Sequence, residues 1–354
     1  MSLKILLFLF LPAIAILFVI TNLPKNNQLD LSFEKVKETI EFKPIPPSVK
    51  DIFTKDHNWV ATLSAERKRV LIATGDVIPA RSVNYQTVTR NNFIWPYEKI
   101  AEYLKSADVT FVNLETPLIN NCPLTQEGMI FCGSSKNIEG LVYSGVDIVS
   151  LANNHAANHG EKGVLETVNL LEAQGISVTG INGPKMIDIK GIKFAFLGYN
   201  DISKTQVGVS NALEEKIKAE IALAKSQADV VVVTFHWGAE YRDQPDDRQI
   251  YLGHFTIDEG ADLVIGNHPH WIQPIEVYKN KLITYAHGNL VFDQEWSQKT
   301  KEGVLGKYTF YDNQLIDVEY LPIYIENYGQ AKFLEGQRKE EVLERMKLES
   351  EKIN

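Results

Sequence analysis

The stretch VVVVTFHWG, residues 230–238, is a run of β-branched residues that leads into His-Trp-Gly. Four consecutive valines without polar alternation are typical of a strand buried on both faces, as parallel strands covered by helices are. From Arg69 onward, short apolar runs of this kind alternate with helical patterns. Such repeated β-α units predict a largely parallel sheet.

The predicted elements cover most of the chain after Arg69. The strand candidates are Val70–Thr74, Val109–Val112, Val146–Leu151, Lys193–Leu197, Val230–Phe235, Leu263–Ile265 and Lys281–Tyr285. The helix candidates between them are Pro96–Ser106, Lys162–Gln174, Asn211–Gln227 and Asp247–Glu259. A last amphipathic stretch, Lys339–Leu348, is expected to pack back on the domain.

The composition is that of a globular protein. Of 354 residues, 44% are hydrophobic and 23% are charged, which is enough for one large core or two modest ones. The formal net charge is −9, whereas non-specific nucleic-acid binding depends on neutralising phosphates with Lys and Arg. We therefore expect no nucleic-acid partner.

An uncharged apolar run begins the chain. It extends from Ile5 to Pro24, between Lys4 and Lys25, and a helix needs about 20 apolar residues to cross a bilayer. A cleavable signal peptide has a shorter apolar region, of about 7–15 residues, next to a small-residue cleavage site. We expect residues 1–24 to be an uncleaved signal anchor and transmembrane helix. A cleaved signal peptide and a buried core helix are the alternatives.

The anchor divides the chain into three parts. Residues 25–68 are polar with scattered prolines, and we expect a juxtamembrane linker with one short helix around Phe33–Ile40. Residues 69–350 form the predicted folded domain. The lysines on both sides of the anchor do not decide its orientation, but the short head and the long tail favour export of the domain. We therefore expect a single-pass protein of the cell membrane with an extracytoplasmic domain.

The two cysteines, Cys122 and Cys132, bound the polar, turn-like segment CPLTQEGMIFC. In an exported protein, a disulfide that closes this loop is the expected state, with two unpaired buried cysteines as the alternative. Zinc binding by the pair alone is not expected, because metal-binding cysteines usually lie two to four residues apart.

Several predicted strands run directly into polar residues that can bind metal or transfer protons. In open α/β sheets, ligands bind beyond the carboxyl ends of the strands, so these side chains are expected to converge on one edge. The residues are Asp76 in IATGD, Asn113 and Glu115 in FVNLE, Asn153, Asn154 and His155 in VSLANNH, His236 in VVVTFHWG, and Asn267, His268 and His270 in LVIGNHPH.

Each of these motifs also has a purely structural interpretation. Asp76 can satisfy a strand-to-loop turn, Asn154 can cap the following helix, and His236 can be a hydrogen-bonded core histidine. The pair His268 and His270 is more specific, because a proline stiffens the chain between two imidazoles. Ligand-type residues at the ends of several separate strands favour a shared metal site over coincidence.

The ligand types constrain the metal. Carboxylate, amide oxygen and imidazole without thiolate suit Mn²⁺, Fe, Zn²⁺, Co²⁺ or Ni²⁺ over Cu(I). The set can hold one or two ions, and two ions about 3.5–4 Å apart would clamp the attacking and leaving oxygens of a hydrolysis. No P-loop and no Gly-x-Ser-x-Gly motif competes with this interpretation.

The order of these motifs resembles the CapA/PgsA family of poly-γ-glutamate capsule synthesis proteins, whose domain is related to calcineurin-like metallophosphatases. The resemblance extends from about Arg69 to Tyr324 and is carried by GDVIPAR, FVNLETPL, DIVSLANNHAANHG, VVVTFHWGAEY, GADLVIGNHPHWIQPIEVY and YAHGNLVFD. It implies an α/β, calcineurin-like metallophosphatase fold with two packed mixed β-sheets flanked by helices. The site would lie at the strand ends, and the transmembrane helix would precede the domain.

The resemblance also implies a role for each motif residue. His155 is similar to the residue that stabilises the transition state and protonates the leaving group, and Arg81 is similar to an anchor for an anionic substrate. The residues that resemble metal ligands are Asp76 and His270 for a first ion, Glu115 as the bridging carboxylate, and Asn154, His236 and His268 for a second ion.

Two departures from the metallophosphatase pattern bear on the number of ions. Metallophosphatases usually carry a histidine two residues after the first aspartate, where this chain has Ile78. The bridging carboxylate is Glu115 in Asn-x-Glu, where metallophosphatases have Gly-Asp. Both departures affect the first ion or the bridge and leave the second-ion ligands intact. His287, in YAHGNL, is either an extra ligand or a packing residue.

Two functions follow from this interpretation. The first is a membrane-anchored, metal-dependent hydrolase that cuts a phosphoester or amide bond in an envelope polymer, such as poly-γ-glutamate, or in its precursor. The second is a non-catalytic component that binds or exports the polymer within a capsule synthase complex. An exported α/β protein with incidental histidines is the remaining alternative.

Overall fold

The computed structural model describes residues 45–203 and 207–353. The predicted signal anchor at 1–24 and the short helix expected at Phe33–Ile40 lie outside these ranges. Within the described ranges, no helix combines the length and the apolar character needed to cross a bilayer.

Strands and helices alternate through most of the described chain. The strands are β1 (Lys68–Val77), β2 (Val109–Leu114), β3 (Leu118–Ile119), β4 (Gly133–Ser134), β5 (Ile148–Ser150), β6 (Ser177–Thr179), β7 (Lys185–Ile189), β8 (Ile192–Asn200), β9 (Val230–His236), β10 (Leu263–Asn267), β11 (Ile275–Tyr278), β12 (Lys281–Thr284), β13 (Asn289–Val291), β14 (Glu302–Tyr311), β15 (Gln314–Glu326) and β16 (Gln330–Phe333). The α-helices are α1 (Val49–Thr54), α2 (Arg81–Arg90), α3 (Ala101–Leu104), α4 (Ile138–Tyr143), α5 (Gly160–Ala173), α6 (Glu214–Lys225), α7 (Asp247–Glu259) and α8 (Gly336–Ser350). Short 3₁₀ helices span His57–Thr62, Ala65–Arg67, Ser135–Asn137 and Lys299–Lys301.

Most of the strands form two mixed sheets. The first has the order β16-β15-β14-β1-β2-β5-β6, with β13 also paired to β1, and the second has the order β11-β12-β10-β9-β8-β7. The predicted strands run parallel at the centre of each sheet, whereas β14 to β16, β7 and β11 pair antiparallel. The expectation of mixed sheets in an α/β fold is confirmed.

The valine run shows how the sheets pack. Val230 and Val232 lie in the apolar core between the two sheets, with residues of both sheets around them. Val231 and Val233 point to the other face and pack in the core beneath α6 and α7. Both faces of β9 are therefore buried, which explains the absence of polar alternation. Burying each such side chain contributes about 1.5–3 kcal/mol.

The described half of the predicted linker packs onto the domain. Ser48 caps α1 through a capping box with Asp51, and Ile52 is buried in the core between the sheets. Val342 and Met346 from α8 belong to the same core cluster. The residues just before β1 therefore form part of the domain together with its last helix.

The helix predicted over Pro96–Ser106 is shorter in the structure, where only Ala101–Leu104 is α-helical. The carbonyl of Pro96 accepts a hydrogen bond from the amide of Ala331, and the carbonyl of Trp95 accepts one from the side chain of Gln330. These carbonyls bind β16, so they are not available to the amides of a continuous helix.

Candidate metal centre

The carboxyl ends of strands from both sheets meet at one edge of the domain. Asp76 pairs with Asn113 at the ends of β1 and β2, and His236 pairs with Asn267 at the ends of β9 and β10. The Nδ2 atom of Asn113 donates to Asp76 at 2.8 Å and lies 3.2 Å from the Nδ1 atom of His236. Asn113 therefore links the strand ends of the two sheets.

Predicted metal ligands surround the Nε2 atom of His236. This atom lies 2.8 Å from Oδ1 of Asn154 and 3.0 Å from Nδ1 of His268, and 3.2 Å from Oε1 of Glu115. Ligand atoms of Glu115, His236 and His268 all lie within 4.8 Å of one another. Two atoms that are each about 2.1 Å from one tetrahedral ion are about 3.4 Å apart, so these spacings suit a shared ion.

The predicted first-ion ligands lie beside this group. Ligand atoms of Asp76, Glu115 and His270 lie within 4.8 Å of one another, and Nδ1 of His270 is 3.2 Å from Oδ2 of Asp76. The same Nδ1 atom lies 2.9 Å from Oδ1 of Asn289. Because Glu115 belongs to both groups, it occupies the position of a shared carboxylate. All the predicted ligands therefore lie together.

The surroundings of the Glu115 carboxylate give independent evidence that a cation fits here. The side chain of Glu115 is 0% exposed. Neither carboxylate oxygen makes a hydrogen bond among the described residues, although Oε1 lies 3.2 Å from Nε2 of His236. Burial raises the pKa of Glu115 well above its usual range, although the charge of His270 opposes this effect. A buried carboxylate without donors is costly unless a cation offsets its charge. The residues present therefore fit a divalent ion.

The histidines of the centre differ in charge. Burial lowers the pKa of His236 to about 3 and, with the neighbouring histidines, lowers the pKa of His268 well below its usual range. Burial also opposes protonation of His270, but the charges of Glu115 and Asp76 outweigh it and raise that pKa to about 9. His236 and His268 are therefore neutral at pH 7, and each offers a lone pair to a metal ion.

The turn that carries two of the predicted ligands, His268 and His270, has an unusual backbone. His268 has a φ angle of 99° and His270 one of 56°, both in a region that is costly for residues with a side chain. The amide of His268 donates to Oδ2 of Asp76 at 3.3 Å. Strain of this kind persists only where the surroundings impose it, and ligand sites are a common place for it.

A cavity of about 240 Å³ lies beside the ligands. It is lined by His155 and His270, by the aromatic rings of Phe131, Phe292 and Trp296, and by Arg81. The cavity therefore combines a partly aromatic wall with a guanidinium and with predicted site histidines, which is an arrangement that can hold part of a substrate.

His155, the predicted catalytic histidine, is held in the wall of this cavity. Its Nδ1 atom lies 2.9 Å from Oδ1 of Asn158, and its ring stacks on Phe131 with 4.0 Å between the centroids. Burial lowers the pKa of His155 to about 4, although the bond to Asn158 opposes this effect. The ring is therefore neutral at pH 7 and fixed in orientation.

Arg81, the predicted anchor for an anionic substrate, already has a carboxylate partner. Its guanidinium pairs with Asp293 and lies 5.0 and 4.9 Å from the ring centroids of Phe131 and Phe292. The amide of Ser82 donates to the second oxygen of Asp293 at 2.9 Å. Because the side chain of Arg81 is 17% exposed, a substrate anion would share the guanidinium with Asp293.

The predicted disulfide between Cys122 and Cys132 is confirmed. The loop that it closes contributes Met129 and Phe131 to the cavity wall. The disulfide therefore bounds a segment of the candidate site.

His287 is a packing residue in this structure. Its Nδ1 atom lies 3.3 Å from the carbonyl oxygen of Gly266, and its Nε2 atom lies 2.9 Å from the hydroxyl of Tyr308. Both ring nitrogens are engaged within the core, so neither is directed at the metal ligands.

The site also contains residues outside the set of ligands and catalytic groups predicted from the sequence. Glu240 has a carboxylate oxygen within 4.8 Å of ligand atoms of His268 and His270, Asn289 contacts His270, and Phe131 supports the ring of His155. A signal for Glu240 exists, because it lies in the same FHWGAEY motif as the predicted strand-end histidine. Phe131 has no signal beyond its place next to a cysteine.

Comparisons with known proteins agree with the expected family. The profile of the family described as "Bacterial capsule synthesis protein PGA_cap" matches residues 70–294. "Capsule biosynthesis protein CapA" of Bacillus anthracis is 29% identical over 282 residues, which are 73% of this chain and 68% of that protein. "PGA biosynthesis protein CapA" of Bacillus subtilis (strain 168) is 31% identical over 268 residues, which are 70% of each chain.

Solved structures give more distant matches. A crystal structure described as a novel phosphatase, from Mycoplasma pneumoniae, aligns with a TM-score of 0.48 and 16% identity, and the alignment covers 73% of this chain and 94% of that one. The family assignment depends on the sequence comparisons. The profile match runs from β1 to the segment after β13, which is more than half of the chain. The chain belongs to the family of bacterial capsule synthesis proteins described as PGA_cap.

Proposed function

We propose that this protein is a metal-dependent hydrolase of capsule polymer synthesis, with a calcineurin-like metallophosphatase domain. The observation that carries the proposal is the carboxylate of Glu115. It is fully buried and without hydrogen-bond partners among the described residues, and it lies between two groups of imidazole and carboxylate ligands. An unpaired buried carboxylate destabilises an apolar core, whereas a bound cation would offset its charge.

The donor set identifies what would hold the metal. When bound, a divalent ion supplies a Lewis acid next to the cavity. Carboxylate, amide and imidazole donors suit Mn²⁺, Fe, Zn²⁺, Co²⁺ or Ni²⁺. The proposed ligands are Asp76, Glu115, Asn154, His236, His268 and His270.

His155 would act on the substrate through Nε2. Oδ1 of Asn158 accepts a hydrogen bond of 2.6 Å from the amide of Phe131, which identifies this atom as the amide oxygen. Nδ1 of His155 therefore carries the proton that it donates to Asn158, and Nε2 has the lone pair in the neutral ring. His155 can accept a proton in this form, and the charge of a bound anion would raise its pKa toward that of an acid catalyst.

The substrate that we propose is an envelope polymer, such as poly-γ-glutamate, or its precursor. The names of two Bacillus relatives refer to capsule and PGA biosynthesis, and a Mycobacterium tuberculosis relative, 25% identical over 254 residues, is called a "Probable polyglutamine synthesis accessory protein". Arg81 lines the cavity and would share its guanidinium between Asp293 and a substrate anion. The bond to be cut would be a phosphoester or an amide.

The location that we propose is the outer face of the cell membrane, with residues 1–24 as the anchor. The uncharged run from Ile5 to Pro24 and the disulfide, which persists in oxidising compartments, support this location. Protease added to protoplasts, whose wall has been removed and whose membrane is intact, should digest the domain and spare a cytoplasmic marker protein. Protection of the domain from the protease would contradict this topology.

Metal content and hydrolysis together test the enzyme. Purified full-length protein, loaded with Mn²⁺ or Zn²⁺ and freed of excess ions, should contain at least about one ion per chain by elemental analysis. It should hydrolyse a phosphodiester or a γ-glutamyl test substrate. A protein that binds no transition metal would contradict the proposal.

A second candidate function is a non-catalytic component that binds or exports the polymer within a synthase complex. It is favoured by Ile78, which stands where metallophosphatases usually have a ligand, and by the carboxylate partner of Arg81. A variant with His236→Ala and His268→Ala separates the two functions. Normal polymer export in cells with this variant would support the non-catalytic function, and loss of export would support the metal-dependent one.

A further inference from the structure

We propose that Glu240 is a further metal ligand, which completes the first-ion site in place of the histidine that is absent at position 78. This inference rests on the metal centre of the proposed function. Glu240 lies in the loop between β9 and α7, which contains none of the ligands predicted from the sequence.

Position 78 cannot supply a ligand in this fold. Ile78 is 0% exposed and packs in an apolar cluster with Ala80, Phe131 and Phe292. Its amide donates to the carbonyl of Val291 at 2.7 Å, which continues the pairing of β1 with β13. The side chain is therefore part of the core beneath the cavity, and the first ion needs a donor from elsewhere.

Glu240 is the carboxylate that the fold brings to this place. A carboxylate oxygen of Glu240 and ring nitrogens of His268 and His270 all lie within 4.8 Å of one another. His268 also belongs to the group with His236, and His270 to the group with Asp76. Glu240 therefore joins an existing centre, and it does so from the wall of the cavity.

The loop that carries Glu240 is fixed to the ligand turn by its backbone. The amide of Tyr241 donates to the carbonyl of Pro269 at 2.8 Å, and Pro269 lies between the two histidine ligands. Tyr241 has a φ angle of 60°, so the loop is held in the same costly backbone region as His268 and His270. This hydrogen bond holds the residue next to Glu240 against the turn that carries the two imidazoles.

Trp237 fixes the start of the same loop. Its amide donates to the carbonyl of Asn267 at 3.1 Å, and its indole nitrogen donates to the carbonyl of Tyr285 at 2.8 Å. Residues on both sides of Glu240 are thus tied to β10 and to the segment that follows it. Such support is what a ligand position needs, because metal binding depends on preorganised donors.

The addition of Glu240 makes the two halves of the centre chemically different. Glu115 is shared by both halves of the centre. Besides it, the first-ion half contains the carboxylates of Asp76 and Glu240 with the imidazole of His270. The second-ion half contains the Asn154 amide with the imidazoles of His236 and His268. Oxygen-rich sites favour Mn²⁺, and imidazole-rich sites suit Zn²⁺. We therefore expect the first ion, which Glu240 would hold, to be replaced by Mn²⁺ more readily than the second ion.

Titration of the full-length protein with Mn²⁺ tests this inference. Metal-stripped protein is titrated while free Mn²⁺ is counted by its electron paramagnetic resonance signal, and the wild type is compared with Glu240→Gln. The wild type should bind two ions, and Glu240→Gln should bind one unchanged and the other at least about tenfold more weakly. Glu340→Gln, on the exposed face of α8, is the matched control and should behave as the wild type.

Other variants show which half of the centre changes. His236→Asn should weaken the opposite ion and leave the ion held by Glu240. Glu240→Asp keeps the carboxylate on a shorter side chain and should bind both ions, with an affinity between those of the wild type and Glu240→Gln. Circular dichroism of the metal-free proteins identifies any variant that does not fold. If Glu240→Gln does not fold, the Mn²⁺ affinities of Glu240→Asp are compared with those of the wild type instead.

The outcomes separate this inference from the proposed function. If Glu240→Gln binds as many ions as the wild type, with affinities unchanged within about twofold, Glu240 is not a ligand, and the rest of the metal centre stands. If the wild type binds no ion, the metal centre itself is wrong, and the proposed function fails with it.

Discussion

The Nδ1 atom of His155 lies 2.9 Å from the Oδ1 atom of Asn158, and the same oxygen accepts a hydrogen bond from the amide of Phe131. One side-chain oxygen thus connects the candidate catalytic histidine with the loop between Cys122 and Cys132. The orientation of His155 therefore depends on a segment that follows β3 rather than on its own loop alone.

Replacement of His155 should separate hydrolysis from metal binding. His155→Ala removes a group that can transfer a proton but is not among the clustered metal ligands, so hydrolysis should fall by about 10²–10⁴-fold while the metal content per chain stays unchanged. Turnover of the test substrate and elemental analysis measure the two effects. His254→Gln, which changes a histidine bonded to Glu276, is the control, and equal activity of His155→Ala and the wild type would remove His155 from the mechanism.

Loss of the disulfide should affect stability and hydrolysis but not metal content. Replacing Cys122 and Cys132 with serine frees the loop in the unfolded chain, and the free energy of unfolding should fall by about 3 kcal/mol. Phe131 then supports His155 less firmly, so hydrolysis should also fall. Urea denaturation and elemental analysis check these effects. Loss of the metal ion in this double variant would contradict the assignment of ligands.

Removal of the metal should destabilise the domain. An ion that binds only the folded state adds about 2.7 kcal/mol when its free concentration is 100 times its dissociation constant, so a chelator should lower the melting temperature. Glu115→Gln replaces the buried charge by a neutral group of the same shape. The melting temperature of this variant should respond little to the chelator, and an equal response of wild type and variant would argue against Glu115 as a ligand.

The ion pair of His57 with Asp317 should make stability depend on pH. Nδ1 of His57 lies 3.1 Å from both carboxylate oxygens of Asp317. Burial lowers the pKa of His57, but the hydrogen bond and charge of Asp317 outweigh burial and raise the pKa above 6.5. The protonated form is therefore favoured in the folded state. Its contribution is complete below the unfolded pKa and is lost as the pH rises through the higher folded pKa.

Urea denaturation at pH 5.5 and pH 8.5 measures this effect. The free energy of unfolding of the wild type should exceed that of His57→Gln by more at pH 5.5 than at pH 8.5. Asp317→Asn removes the same ion pair. In this background, the effect of His57→Gln on the free energy of unfolding should be the same at both pH values. A difference that grows toward high pH would contradict the interpretation.

The central strands could be predicted from the sequence because their burial on both faces leaves continuous apolar runs. The helix α2 could not, because its buried face is mostly polar: Asn84 and Thr87 point inward beside Val83 and bond to Asn137. A helix without an apolar stripe gives no periodic signal. The antiparallel strands β14 to β16 could not be predicted either, since their pairing is set by contacts between distant parts of the chain.

The candidate site divides in the same way. The residues at the ends of strands, such as Asp76 and His236, could be predicted, because the carboxyl ends of parallel strands meet at one edge. Glu240 and Phe131 lie on loops instead. Their positions depend on hydrogen bonds between residues far apart in sequence, such as the bond from Tyr241 to Pro269. No local sequence pattern predicts such a bond.

The division of the ligands between two sheets has a consequence for how the protein is made. Asp76, Glu115 and Asn154 belong to the first sheet and the segments that follow its strands, whereas His236, His268 and His270 come from the second. A growing chain cannot hold an ion in the complete centre until synthesis has passed His270 and the two sheets have docked. If the centre binds metal as proposed, loading with the ion would be a late step in the biogenesis of this protein.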